Sequence, residues 1–477
     1  MNLLSPFLAR LETREHRTAI IDTNGRTASF GEMAESSATL AAAWQLRGVT
    51  SGDRVLVAVP LSIELYVSLI ALWRLGAVAV FPEPSLGLRG VLHAAEVTQP
   101  KALLTAGRYR VLRYIVPQLW RIPLSLGTEE HSNRLDVIAP VGAADPALIS
   151  FTSGSTGLPK AIVRSHLMLG RQNAYVADLL EPKRDGEIDL VAFPVFVLAN
   201  LGMGTTSVLP NWDLRRPDNA DPERVAALIA QSNITRALVP PSICEKLYAC
   251  SQRPRLNTVF TGGGPVFPRL LERMADALPS TDIVTVYGST EAEPISHVRV
   301  AEITASEWKA MRKGAGLLAG TPIRSAKVDI RNDEIIVTGD HVNKGYLDPA
   351  DDRTTKITKD GQIWHRTGDA GRIDSMSRLW LLGRIDGSIG RLFPFIVEAA
   401  AQYWPGVVRC ALIVINGLPI LAIEGDSQYL DEWKSNTQQF GDITIAFVSK
   451  IPLDRRHRSK VNYPELRKSI SPRINDC

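Results

Sequence analysis

An alternation of glycine-stopped helical stretches with short apolar runs constrains the fold of this chain more than any other feature. Met33, Leu40, Ala43 and Trp44 recur at helical spacing before Gly48, and Val55 to Val59 follows Asp53-Arg54 as an apolar strand. The stretch from Ile63 to Leu75 repeats the helical pattern up to Gly76, and Ala77 to Phe81 reads again as a strand. The β-α-β order recurs through Ala102–Thr105, Ala147–Phe151, Thr235–Val239 and Thr258–Phe260. Parallel neighbours need a helical crossover between them, so the pattern predicts an α/β fold of layered, mostly parallel sheets. Ligands in such folds sit at the carboxyl ends of the strands.

From about Ala326 the texture changes to short strands and tight turns, at Val328–Arg331, Ile335–Thr338 and Trp380–Leu382, which predicts a small antiparallel region. The polar, glycine-bearing segment Gly383–Ser388 reads as a hinge. Behind it, Ala411–Ile415 and Ile420–Ile423 are strands of a small C-terminal α+β domain. The expected division is a large N-terminal domain over residues 1–385 and a small mobile domain over 386–477.

Composition excludes several classes. With 45% hydrophobic and 22% charged residues, the 477-residue chain can bury a large core. Its 54 Lys+Arg against 50 Asp+Glu leave a net charge of only +4, too dispersed for a nucleic-acid partner, and Arg455-Arg456-His457-Arg458 is a run short enough to be a solvated turn. Charges at Arg10, Glu12, Arg14 and Glu15 come too early for a signal-peptide apolar region. The most apolar stretch, Val67 to Phe81, is interrupted by Arg74 and Gly76, so it reads as helix, turn and strand rather than a membrane span. Four cysteines without C-x-x-C or metal-ligand spacing point to a reducing cytoplasm and no structural zinc.

The most chemical segment follows the strand Ala147–Phe151. Thr152-Ser153-Gly154-Ser155-Thr156-Gly157-Leu158-Pro159-Lys160 gathers four hydroxyls, an ammonium and backbone N–H groups on a loop without bulky side chains, between that strand and an expected helix. Such a loop can cradle phosphate, because glycines admit an anion close to the backbone. It is not a Walker A loop: the glycine spacing is too short, and Ala161 stands where a magnesium-binding Ser/Thr would follow the lysine. Alone, the segment could equally be an ordinary tight turn.

Further motifs stand downstream: Thr261-Gly262-Gly263-Gly264-Pro265, Val286-Tyr287-Gly288-Ser289-Thr290-Glu291, His365-Arg366-Thr367-Gly368-Asp369, Gly383-Arg384-Ile385-Asp386 and a late Lys460. In this order the chain resembles, over nearly its whole length, the acyl-adenylate-forming (AMP-binding) synthetases. These include acyl-CoA ligases, peptide-synthetase adenylation domains and firefly luciferase. The resemblance implies ATP and Mg²⁺ as cofactors and attack of a small-molecule carboxylic acid on the α-phosphorus. It gives Thr152, Ser153, Gly154, Ser155, Thr156, Gly157 and Lys160 to the β and γ phosphates, Thr290 to the α-phosphate and Glu291 to Mg²⁺. Asp369, assisted by Arg384, falls to the ribose, and Tyr287 beside Gly263 to adenine. Lys460 is implied as the lysine bridging carboxylate and α-phosphate, where negative charge develops, and Asp386 as the hinge. Singly, each has a plainer reading: Asp369 as a turn residue, Glu291 and Lys460 as solvated charges, Tyr287 as core.

The pattern also departs from the family. Pro452 stands eight positions before Lys460, farther than in the usual Pro-x-x-x-x-Gly-Lys pattern, and Ser459 replaces the glycine. The segment Pro452–Lys460 is similar instead to that of olefin β-lactone synthetases, as are Arg164-Ser165-His166, Glu291–Ser296 and Leu392-Phe393-Pro394. After Asp386, the loop that lines the pantetheine tunnel in thioester-forming members is shortened, with Gly390 in place of its usual lysine. The resemblance therefore implies adenylation of an apolar, fatty or β-hydroxy fatty acid, followed by β-lactone closure. The alternatives are thioester formation with CoA or an acyl carrier protein, and a non-catalytic nucleotide- or acyl-binding homologue. Phe193–Gly204 and Leu238-Val239-Pro240-Pro241, without ionisable side chains, could line the acyl pocket or be buried core.

Overall fold

The computed structural model describes residues 2–83, 86–136, 138–152, 159–454 and 460–474. A six-stranded sheet runs in the order Leu124–Gly127, Ala102–Thr105, Arg54–Ala58, Val78–Phe81, Pro146–Thr152, Lys160–Ser165. The first five strands are parallel, and only the last pairing is antiparallel. Helices cover both faces. Val55 and Val57 pack into the core made with Phe30–Leu46 and Ile63–Arg74, while Leu56 between them points into the core made with Leu88–Thr98. That strict alternation explains why these strands read as continuous apolar runs. The stretch after Val67 resolves as expected into helix to Arg74, turn at Gly76 and strand from Val78, and no helix among the described residues is long and apolar enough to cross a membrane.

A fourteen-stranded sheet carries the rest of the large region. Thr18–Ile21, Thr206–Val208, Ile188–Val191, Arg236–Val239, Thr258–Gly262 and Asp282–Ser289 form a parallel run. Antiparallel pairing then takes over through Ala292–Arg299, Leu317–Pro322, Leu379–Arg384, Gln362–Ile373, Glu334–Thr338 and Lys327–Arg331. The switch comes earlier than the change of texture at Ala326, because the turn Thr290–Glu291 folds the chain back on itself.

The expected helix behind Lys160 is a β-strand. Lys160–Ser165 returns antiparallel along Pro146–Thr152, with Phe151 opposite Ala161 and Ile149 opposite Val163. Buried Ala161 and Ile162 and the β-branched pair Ile162-Val163 suit a sheet edge. The helix begins only at His166, where the Ser165 hydroxyl accepts from the Met168 N–H at 3.2 Å. Lys160 is thus followed by a strand and not by a helix N-terminus.

The C-terminal part has cores made only of residues after Arg391. Val397, Trp404, Leu412, Leu421 and Trp433 fill one, and Ile413, Ile420, Leu466 and Ile470 the other. Val407–Ile415 and Leu418–Gly425 form a hairpin whose Asn416-Gly417 turn takes positive φ at both residues, the form that matches strand twist. Thr444–Val448 adds to it in parallel. The unit meets the large region through Phe395 edge-on to Phe267, Tyr403 donating to Glu272 at 2.8 Å, and Arg269 donating to the carbonyls of Gln402 and Val407 at 2.5 and 3.0 Å.

Candidate active site

Thr258–Gly262 and Asp282–Ser289 are adjacent parallel strands, so Gly262-Gly263 and the Tyr287–Glu291 turn emerge together at their carboxyl ends. Gly263 has φ +74°, and a Cβ on Gly262 would lie 2.3 Å from the Val286 carbonyl oxygen, so glycine is required for the strands to approach.

Tyr287 donates its hydroxyl to Asp369 Oδ2 at 2.8 Å, and Arg384 Nη1 donates to Asp369 Oδ1 at 3.1 Å and to the Thr367 carbonyl at 2.9 Å. Gly368, at φ +70°, makes room: a Cβ there would sit 2.5 Å from Arg384 Nη2. Burial and then the Asp369 charge push the Tyr287 hydroxyl well above its ordinary pKa, so it stays a donor. Burial opposes the charge on Arg384, but Asp369 and Asp386 outweigh it and raise its pKa. Asp386 Oδ1 lies 3.7 Å from Arg384 Nε.

A second group surrounds Glu291. Tyr346 donates to Glu291 Oε1 at 2.8 Å, and the Asn343 N–H donates to the Glu291 carbonyl at 2.8 Å. Two ammonium groups flank the Tyr346 ring: Lys160 Nζ at 5.7 Å and Lys356 Nζ at 5.3 Å from its centroid. Lys160 also donates to Thr354 Oγ1 at 3.4 Å and lies 3.6 Å from Asp351. Lys356 donates to the Asn343 carbonyl at 2.6 Å and lies 3.3 Å from His365 Nδ1. Burial raises the pKa of Glu291, but His365, the Tyr346 hydroxyl and Lys356 together hold it below its ordinary value. Burial lowers Lys356 to about 8, and burial with the Lys356 charge lowers His365 to about 4.

Thr290 is held by its main chain: Arg164, 5% exposed, donates to the Thr290 carbonyl at 2.7 Å. The expected residues Lys160, Glu291, Tyr287, Asp369 and Arg384 therefore fall into two connected groups. Ser153–Gly157 lie outside the described residues, while Thr152 ends the strand. Lys460 is exposed on the C-terminal unit. Burial, Glu398 and the charge of Asp386 push up the hydroxyl of Tyr463, at the start of the last helix. Tyr346 and Asn343, in irregular chain, and Lys356, which opens the strand Lys356–Lys359, had no sequence signal, because all three lie far from Glu291 in sequence.

Beside Gly262-Gly263 a small apolar cavity of about 20 Å³ is lined by Val176, Phe193, Phe196, Leu238, Phe260 and Val286. Phe193, Phe196 and Leu238 come from the two segments expected to bind an acyl group. Glu293 and Pro294 also line it, so the wall is not wholly apolar.

The sequence pattern of the AMP-binding enzyme family matches residues 7–347. An olefin beta-lactone synthetase of Stenotrophomonas maltophilia is 27% identical, over 92% of this chain and 90% of that protein. A feruloyl-CoA synthase of Amycolatopsis is 29% identical over 85% and 84%. The structure of o-succinylbenzoate coenzyme A synthetase from Bacillus subtilis, in complex with ATP and magnesium ion, superimposes with a TM-score of 0.79 at 20% identity, covering 97% of this chain and 99% of that one. The matched span runs from the first helix through the strands Pro146–Thr152 and Lys160–Ser165 and the Glu291 turn to Tyr346, so this chain belongs to the AMP-binding enzyme family, as an ATP-dependent, acyl-adenylate-forming acid ligase.

Proposed function

We propose that the chain activates an apolar β-hydroxy fatty acid as its acyl-AMP and closes the product to a β-lactone. The observation that supports the adenylation half is the pair of groups Lys160–Tyr346–Glu291 and Tyr287–Asp369–Arg384, linked in the chain by the turn from Tyr287 to Glu291. In this reading Lys160 and the loop from Thr152 bind the β and γ phosphates, Thr290 meets the α-phosphate, and Asp369 accepts from the ribose hydroxyls with Arg384 holding it in place. Tyr287 and Gly263 border the adenine. Lys460, carried by a lid formed by residues 386–477 that turns about Asp386, stabilises the charge of the transition state.

The residues also fit Mg²⁺. The described residues contain no cluster of three or more acidic, His or Cys ligands, and Glu291 is an ionised, half-buried carboxylate. Mg²⁺ in nucleotide enzymes is held by one or two carboxylates plus phosphate oxygens, so Glu291 suffices. When bound, Mg²⁺ neutralises phosphate charge and activates the leaving pyrophosphate.

For the second step, the substrate's β-oxygen attacks the activated carbonyl. The new C–O bond closes the four-membered ring, the bond from carbonyl carbon to phosphate oxygen breaks, AMP leaves and the hydroxyl proton passes to solvent. Only a near-attack geometry is needed. The turn after the hinge supports this reading: Ile389 and Leu392 exchange both backbone hydrogen bonds, at 3.1 and 3.0 Å, around Gly390-Arg391 alone. So short a turn offers little wall for a pantetheine arm. The similarity to CoA ligases such as the feruloyl-CoA synthase favours the second reading, thioester formation with CoA or a carrier-protein thiol.

Incubation with ATP, Mg²⁺ and a panel of fatty and β-hydroxy fatty acids, with and without CoA, separates the readings by pyrophosphate release and product mass. Loss of water from the β-hydroxy acid without CoA is expected. Thioester formed only with CoA overturns the lactone step, and absence of pyrophosphate with every acid leaves a binding protein.

A further inference from the structure

Lys460 lies opposite Asp454, which holds its main chain. After Ile451, which is fully buried, the chain runs through Pro452 and Leu453 and returns with Leu453 bridged antiparallel to Val461. The Asn462 N–H donates to the Pro452 carbonyl at 2.8 Å. Between these anchors, the Asp454 N–H donates to the Lys460 carbonyl at 2.8 Å, and the Lys460 N–H donates to Asp454 Oδ1 at 3.0 Å. Both main-chain groups of Lys460 are thereby engaged by Asp454.

The flanks are fixed independently. The Ile451 N–H donates to Glu424 Oε2 at 2.9 Å, and Asn462 opens the last helix by donating to Glu465 Oε2 at 2.7 Å while accepting from the Glu465 N–H at 3.3 Å. Leu466, one turn in, is fully buried. The backbone on either side is thus anchored, and Lys460 itself is exposed. What remains to be set is the direction in which that side chain leaves the hairpin, and the Asp454 carboxylate sets it by holding the Lys460 amide.

We propose that Asp454 is a positioning residue for adenylation, aiming the Lys460 ammonium through the Lys460 main chain; the proposal rests on Lys460 being the adenylation lysine. A long flexible stem magnifies a small backbone rotation at its root. A displacement of about 1 Å at a reacting group can cost roughly 100-fold in rate. A carboxylate is also a stronger acceptor than a neutral oxygen and suits a backbone amide at a loop closure.

The test uses the full chain, with the acid of the β-hydroxy fatty acid panel that releases pyrophosphate fastest. Asp454→Ala should lower kcat for pyrophosphate release about 10- to 100-fold, with KM for ATP and the thermal midpoint unchanged. Asp454→Asn keeps an acceptor oxygen and should restore most of the rate. If Asn is as slow as Ala, the side chain acts through its charge and the clamp is wrong; unchanged kcat in Asp454→Ala also overturns it. Should alanine loosen the fold, Asp454→Ser, too short to reach the Lys460 amide, takes its place. Hydrogen exchange of the peptide containing Lys460 gives a reading independent of turnover: faster exchange in Asp454→Ala is expected, and equal exchange overturns the clamp. Lys460→Ala separates the two ideas. A fully active Lys460→Ala defeats the assignment of the lysine, whereas an inactive one beside an unimpaired Asp454→Ala defeats the clamp alone.

Discussion

Tyr287 and Asp369, 82 residues apart in sequence, meet through a 2.8 Å hydrogen bond from the tyrosine hydroxyl to Oδ2 of the carboxylate. With Arg384 on the other oxygen, the plane of the Asp369 carboxylate is set before any ligand arrives. Tyr287→Phe removes one donor to a charged acceptor, an interaction worth about 1.5–3 kcal/mol. The expected result is KM for ATP raised about 10-fold with little change in kcat. A kcat loss at unchanged KM would assign the hydroxyl to the transition state instead.

Tyr346→Phe keeps the ring between Lys160 and Lys356 and deletes only the hydroxyl that Glu291 accepts. If Glu291 holds Mg²⁺, the metal concentration giving half-maximal pyrophosphate release should rise about 3- to 10-fold, with ATP affinity at saturating Mg²⁺ preserved. An unchanged Mg²⁺ requirement counts against that role.

Glu398 is buried in the C-terminal unit, where it accepts from the Leu412 N–H at 2.8 Å, and burial pushes its pKa up to about 8. The folded state therefore keeps a proton that the unfolded chain has lost above its ordinary carboxylate pKa. Stability contributed by the neutral acid is complete below the unfolded value and drains away as pH rises toward 8. Glu398→Gln retains the acceptor and removes the titration, so its thermal midpoint should gain on the unaltered chain as pH rises from 5 to 8. The difference is about 2–4 kcal/mol at the upper end. Parallel pH profiles for the two proteins would refute this.

Arg236 donates to both oxygens of Asp189, at 2.6 and 2.8 Å, and to the Leu180 carbonyl, with both side chains essentially excluded from water. Burial raises the pKa of Asp189 despite the arginine. Arg236→Met leaves that carboxylate unpaired and should cost about 3–5 kcal/mol in denaturant unfolding. Replacing both partners by apolar residues should recover most of the loss.

The parallel strands were legible because each is an apolar run between helices with clear stops, and Ala102–Thr105 coincides with the expected bounds. Lys160–Ser165 was not, since six residues following a glycine-rich loop carry too little periodicity to separate strand from helix. Residues inside short spaced motifs were legible: Tyr287, Asp369 and Arg384 meet in one group, and Glu291 and Lys160 share Tyr346 in another. Tyr346 and Lys356 were not, because their role depends on how the segment from Asn343 to Lys356 folds back over Glu291. Arg164 stands in a motif beside the loop, but its hold on Thr290 joins two sheets and has no local trace.

That join has a wider effect. Ile162 bridges to Tyr346, the Leu347 N–H donates to the Ala161 carbonyl at 2.8 Å, and Asn343 donates to the Val163 carbonyl at 3.1 Å, so the hairpin is stitched to loops of the neighbouring sheet. The groups proposed to bind ATP thus straddle a seam between two sheets. Breaking the stitches pulls those groups apart, so a substitution at the join can silence turnover without coming near any reacting atom.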